Sequence, residues 1–214
     1  LKAAVTPDFG GDSKVDQNTF LMEPVSAENL HNNRSTRNFW CQIKGIGSWS
    51  VTGASAEAEL NRFTEEQEES TLTAGFMWQT VIRSSEKYGL SAKVTSFAPL
   101  AHAAEIMQVE ICNESKAART ITPVAAVPIY GRSADNIRDH RHVTSLLHRI
   151  TVTTNGVCVR PTMSFDERGH QKNDTTYFVY GFTAEGNAPK EFYPTVESFI
   201  GEGGSFLIPE AVRV

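Results

Sequence analysis

Apolar and polar side chains alternate along most of the chain with a period of two, the pattern of strands that bury one face. Residues 90–97 (LSAKVTSF) alternate roughly, and residues 107–111 (MQVEI) cleanly, with Met107, Val109 and Ile111 on one face. Residues 71–83 (TLTAGFMWQTVIR) predict one long strand with aromatic content. Asn113, Glu114 and Ser115 predict a turn, and residues 119–129 and 176–182 two further strands. Asn155-Gly156 predicts a two-residue hairpin turn, because both central positions of such a turn favour positive φ. Only residues 54–69 (ASAEAELNRFTEEQEE) suggest a helix. Their apolar spacing is poor, and a solvated acidic loop is an equal reading. Many strands, turns between them and few helices predict an all-β fold, a large antiparallel β-sandwich. With no linker and no internal repeat, residues 1–214 are expected to form a single domain.

The totals narrow the class. A chain of 214 residues can bury a sizeable core, and 40% apolar with 21% charged residues is ordinary for a soluble protein. A net charge of −5 argues against nucleic-acid binding. No apolar run approaches the roughly 18 residues of a membrane span. The first residues lack a signal-peptide core, and the missing initiator Met suggests a fragment of a longer chain. Cys41, Cys112 and Cys158 are odd in number, widely spaced and without a CxxC pair. Free buried thiols in a reducing cytoplasm are the expectation, rather than zinc or disulfides. Asn33, Asn113 and Asn173 head glycosylation-type triplets, which carry little weight without a secretion signal.

Candidate chemistry concentrates in two stretches. Residues 132–143 (RSADNIRDHRHV) hold three arginines, two aspartates and two histidines in twelve positions. Arginine forks suit phosphate or carboxylate, and Asp and His suit sugar hydroxyls. Composition alone favours a network of ion pairs that pins a loop. His140 and His142 would share a strand face and, with His170, could ligate a metal; hydrogen-bonding histidines are the preferred reading. In residues 164–170 (SFDERGH), Asp166 and Glu167 are neighbours. On an extended chain they point to opposite faces, so they make a poor acid/base pair. Gly169 suggests a tight loop between Arg168 and His170. Among the aromatic residues Phe39, Trp40, Trp49 and Trp78, Trp78 is expected in the core and Trp40 at the surface. Residues 201–204 (GEGG) lack a P-loop lysine and read as a flexible turn.

Residues 37–40 (RNFW), 130–136 (YGRSADN), 138–147 (RDHRHVTSLL), 164–170 (SFDERGH) and 199–204 (FIGEGG), in this order, resemble the N-terminal region of cellobiose-phosphorylase-like enzymes, glycoside hydrolase family 94 and its near relatives. The resemblance spans about residues 10–210. It implies a supersandwich similar to the galactose mutarotase fold, joined in the parent enzyme to a C-terminal (α/α)6 helical barrel. It further implies that inorganic phosphate, a co-substrate rather than a cofactor, attacks an anomeric carbon with inversion. A barrel carboxylic acid then protonates the leaving sugar, and a sugar 1-phosphate is released. No barrel is expected in this chain, so no catalytic residue is expected either. Residues 207–214 read as a strand-like run that should continue, leaving an exposed sheet edge that invites association.

The leading expectation is therefore a non-catalytic domain that helps shape a saccharide and phosphate site and a homodimer interface. Arg132, Arg138, Asp139, His140, Arg141 and His142 are the first candidates for recognising hydroxyls and phosphate. Asp166, Glu167, Arg168, His170 and Trp40 follow. Two alternatives stand beside it. A free-standing sugar-binding module requires an exposed Trp40 or Trp49. A mutarotase-like enzyme, with His140 or His170 as acid and Glu167 as base, requires these side chains to converge.

Overall fold

The structure is a computed structural model and describes residues 1–3, 5–25, 36–134, 146–166 and 168–213. Its regular secondary structure is almost wholly antiparallel strand. Strands β1 (Lys2–Ala3), β2 (Ser13–Asp16) and β3 (Thr19–Met22) form a small N-terminal sheet. Next come β4 (Asn38–Ile43), β5 (Gly47–Ser50) and a short helix α1 (Ala56–Leu60). A four-stranded meander follows: β6 (Ser70–Gly75), β7 (Trp78–Ser85), β8 (Leu90–Phe97) and β9 (Ile106–Asn113). Strand β10 (Ile121–Ala126) returns to pair with β4 in a three-stranded sheet of order β10-β4-β5. Strands β11 (Arg149–Val152) and β12 (Gly156–Arg160) join β15 (Tyr177–Tyr180), while β13 (Thr162–Asp166) and β14 (Gly169–Asn173) form a hairpin. Helix α2 (Val196–Ile200) and a 3-10 turn (Glu210–Val212) end the described chain.

Two sheets make the sandwich. Cys41, Ile43 and Trp49 of β10-β4-β5 pack with Val81, Leu90, Ala92 and Val94 of the meander, and Phe9 joins the same core. Met107, Val109 and Ile111 pack on this core from one face of β9, as their alternation predicts. Strand β8 has the predicted bounds. The stretch 71–83 does not form one strand: Phe76 and Met77 turn the chain and split it into β6 and β7. Met77 takes a left-handed φ of 66°, which no local pattern announces because bulky residues rarely adopt it.

The outer face of β10-β4-β5 is also covered. Trp40 and Val124 pack under Phe199, Phe206 and Val212 of the C-terminal segment. Gln42 donates to the Ala211 carbonyl at 3.2 Å, and the Ser48 hydroxyl to that of Val212. The expected C-terminal strand is absent. Pro209, which lacks an N–H, precedes the 3-10 turn, and the segment lies across the sheet instead of extending it. Helix α1 is five residues long, capped by Ser55 accepting from the Ala58 N–H. Helix α2 begins with a reciprocal Thr195/Ser198 cap. Serine replaces the usual Glu or Gln of that motif, so the sequence pattern does not flag it.

The expected hairpin at Asn155-Gly156 exists, but displaced by one residue. The Thr153 N–H donates to the Gly156 carbonyl at 2.8 Å, so Thr154 and Asn155 form the tip. Neither Asn155 nor Gly156 has positive φ. Gly156 is required for packing: a Cβ there would lie 1.9 Å from the Val179 carbonyl of the neighbouring β15. Of the three thiols only Cys41 is buried, with its pKa pushed up to about 12 by burial. Cys112 is exposed and Cys158 half-buried, against the expectation of three buried thiols.

A buried ion pair fastens these parts. Nε of Arg37 lies 2.6 Å from Glu105 Oε1, and Nη2 donates to Oε2 at 2.7 Å. The remaining guanidinium donors reach the carbonyls of Phe9, Gly11 and Asp12. Ser96 of β8 donates to Glu105 at 2.9 Å. Breaking one side of a satisfied buried pair leaves an uncompensated charge. Arg37→Met is expected to cost about 3–5 kcal/mol in urea unfolding. The double variant Arg37→Met/Glu105→Leu should recover part of that loss. Gly156→Ala should cost about 3 kcal/mol by overpacking β12 against β15, read in the same assay.

Candidate functional site

The polar motifs begin on the small N-terminal sheet. Residues 130–134 run antiparallel along β3. Tyr130 donates its N–H to Leu21, Gly131 to Phe20 and Ala134 to Gln17, while Phe20 donates to Arg132. Gly131 has φ 64°, and a Cβ there would press on the Tyr177 ring at 3.3 Å. The glycine therefore both turns the chain and lets β15 approach. Tyr130, Arg132 and Ser133 are all buried.

Arg132 is held twice by Tyr130. Its Nε donates to the Tyr130 carbonyl at 3.2 Å, and its guanidinium lies 4.5 Å from the centre of that residue's ring. The Tyr130 hydroxyl donates to the Ser133 carbonyl at 3.1 Å. The Ser133 hydroxyl in turn donates to the carbonyl of Phe165. This contact joins the two polar motifs, which lie 32 residues apart in the chain.

On the far side of that joint is the β13–β14 hairpin. Phe165 pairs with His170 in register, and their rings meet edge to face with centroids 5.3 Å apart. Asp166 pairs with Gly169, whose φ of 93° makes the tight turn expected there. Arg168 and His170 are exposed. The structure thus brings Arg132 and the hairpin of Asp166, Arg168 and His170 onto one framework. Arg138, Asp139, His140, Arg141, His142 and Glu167 lie outside the described residues. The described residues that flank 135–145 are fastened, by Ala134 to Gln17 and by the Thr162 hydroxyl to the Leu147 carbonyl at 3.0 Å.

The aromatic expectations exchange places. Trp40 is only 3% exposed, leaving no free face for a sugar ring, whereas Trp78 is 42% exposed. Strand β4 is covered on both faces, so even its alternate positions are interior. Trp49 is buried too, with its indole N–H shared between the carboxylate oxygens of Glu68 at 3.0 Å. The GEGG stretch is a packed turn: a Cβ on Gly201 would meet Glu210 at 2.4 Å, and one on Gly204 the Ile200 carbonyl at 1.8 Å. Among the described residues no cluster of three His, Cys, Asp or Glu could hold a metal ion. Among them, too, no helix is long and apolar enough to cross a membrane.

Two groups next to this framework, His148 beside Arg132 and Tyr177 against Gly131, were not singled out by the motifs. Burial and the Arg132 charge push His148 down to about 4. Burial pushes the Tyr177 phenol up to about 12. Both reside in or beside strands whose sequence shows only alternation, so no linear signal marks them. A histidine held neutral contributes no proton near pH 7. The unfolded chain takes up a proton at His148 near its ordinary value of 6.5, and the folded chain only near 4. The residue therefore costs stability progressively as pH falls between those values. His148→Leu should flatten the fall in stability across that window, measured as urea midpoints at a series of pH values.

Residues 47–214 match the family model described as the supersandwich domain of glycosyl hydrolase 94. The match begins within β5, includes both polar motifs and ends with the segment that covers Trp40. No curated protein sequence matches the chain. The antiparallel sandwich and a match over more than three quarters of its length together show that this chain belongs to glycoside hydrolase family 94, as its supersandwich domain.

Proposed function

We propose that this chain is the non-catalytic sandwich domain of an inverting carbohydrate phosphorylase that acts on β-linked gluco-saccharides. It shapes part of the saccharide and phosphate site and of a homodimer interface, while a separate helical barrel supplies the general acid. The family match over residues 47–214 carries this reading, because a supersandwich domain of this family supports a context of phosphorylase-type enzymes. The framework around Arg132 supports it. Its polar groups are engaged in holding the backbone: Arg132 on Tyr130, Tyr130 on Ser133 and Ser133 on Phe165. Such an arrangement fits an anchor for recognition loops better than a proton-transfer device. Arg138, Asp139, His140, Arg141 and His142 remain the residues proposed to meet hydroxyls and phosphate.

The test uses β-linked gluco-disaccharide and inorganic phosphate, with sugar 1-phosphate as readout. The chain alone should form none, and the protein of the complete reading frame should form the inverted anomer. Arg138→Ala in that protein should raise KM for phosphate or saccharide about tenfold without moving the melting temperature, a loss of one charge-assisted contact. Unchanged kinetics with lowered stability would assign the cluster a structural role instead. Anomer interconversion by the chain alone would overturn the non-catalytic reading in favour of a mutarotase-like enzyme.

A further inference from the structure

The sheet β6-β7-β8-β9 packs one face on the core, and among the described residues the other face is open. Its register aligns the open face in rows. Trp78, Phe97 and Ile106 lie directly across from one another at the hairpin end. The next row is Thr80, Thr95 and Gln108, and the two threonine hydroxyls are 3.0 Å apart. The third row is Ile82, Lys93 and Glu110: Ile82 is exposed, and Lys93 and Glu110 neutralise each other at 3.1 Å. Trp78 is propped against the backbone of Gly75. A Cβ on that glycine would strike the indole at 2.5 Å, so glycine is what lets the ring lie across β6. Beside the aromatic row a cleft of about 210 Å³ opens, with Val5, Met77, Trp78 and Phe97 in its lining.

We propose that this open face is a secondary saccharide-binding surface, with Trp78 as its stacking platform. The ligand is a neutral β-linked gluco-oligosaccharide. A gluco-configured ring carries its substituents equatorially, so it offers a flat C–H face and a belt of hydroxyls. The aromatic row fits the first and the Thr/Gln row the second, at adjacent rows of one sheet. An apolar protein partner would be matched by a continuous apolar centre with a polar rim, whereas here the polar row crosses the sheet. A polyanion would need unpaired cations, and Lys93 is balanced by Glu110. The ligand class rests on the family reading above, but the surface is separate from the Arg132 framework and is composed of different strands.

The chain has three tryptophans, and Trp40 and Trp49 are each 3% exposed, so acrylamide quenching of fluorescence reports Trp78. Cellotetraose should shield that fluorescence in the 214-residue chain, and isothermal titration should give the same affinity. Trp78→Ala should abolish the quenchable component and weaken binding about tenfold, the scale of one lost aromatic contact. Trp78→Phe should bind in between, and Thr95→Val should weaken binding while leaving quenching of the free chain unchanged. Circular dichroism verifies that each variant is folded. Undiminished quenching in saturating cellotetraose would overturn the proposal, as would equal affinity in Trp78→Ala. So would a concentration-dependent dimer that shields Trp78 without sugar, because the face would then belong to a second copy. Sugar 1-phosphate formation by the complete protein is scored separately. Its failure would sink the phosphorylase reading and leave this surface standing, and the reverse holds equally.

Discussion

The buried pair Arg37–Glu105 is the constraint on which the sandwich depends. Arg37 stands at the head of β4, Glu105 just before β9, and the three carbonyls that complete the guanidinium come from the N-terminal loop. One side chain thus ties together the N-terminal segment and both sheets. Such a pair is a modest source of net stability, because desolvation offsets much of the attraction. Its effect is on specificity. Any arrangement that slides one sheet past the other strands two charges in an apolar interior. Next to it, Asn38 Oδ1 accepts from both Ser50 and Thr52 at 2.7 Å, and its amide donates to Ala54 at 2.7 Å. The RNFW motif is therefore a folding device: two polar residues that fix register, and two aromatic residues, Phe39 and Trp40, that enter different cores.

Those two cores explain what alternation could and could not disclose. A period of two states which side chains share a face, and on β8 and β9 it did so with the right members and close to the right bounds. It does not state whether the opposite face is covered. Strand β4 lies between the meander and the C-terminal segment, so Trp40 is interior although it alternates with core residues. Strand β7 is covered on one face only among the described residues, so Trp78 lies outside although its strand looks like a core strand. The covering elements, α2 and the 3-10 turn, lie more than 150 residues from Trp40 in sequence. No local pattern carries that information. The turn at Phe76 and Met77 was hidden for a different reason: its residues are apolar and one takes a conformation that apolar residues avoid.

The candidate site divides along the same line. The density of Arg, Asp and His was legible as a polar cluster, and the order of the motifs as a resemblance. The joint between them was not. It depends on a serine and a backbone carbonyl, Ser133 and Phe165, neither of which has a distinctive residue type. His148 became a perturbed group only because the fold buries it beside Arg132. Sequence thus gives the inventory of a site, while non-local packing decides which members are anchors and which are free to meet a ligand.

The asymmetry between the two sheets bears on function. The sheet β10-β4-β5 has both faces occupied, and its side chains are committed to holding the domain together. The meander commits one face to the same core and leaves Trp78, Ile82 and Ile106 more than 40% exposed on the other. Each is already more than half buried, so it forgoes less than half of the roughly 1.5–3 kcal/mol that full burial of such a side chain supplies. Ile82 stands in a different row, beside Lys93, but Trp78, Phe97 and Ile106 form one aligned row, propped on a glycine and flanked by hydroxyls, which makes an organised surface. Within a family that handles carbohydrate, a rigid sheet presenting that row has the two properties a sugar platform requires. Its aromatic side chain is pre-positioned by Gly75, so little conformational entropy is lost on contact. Its polar row is already paired within the sheet through Thr80 and Thr95, so hydroxyls can join it without leaving a buried group unsatisfied.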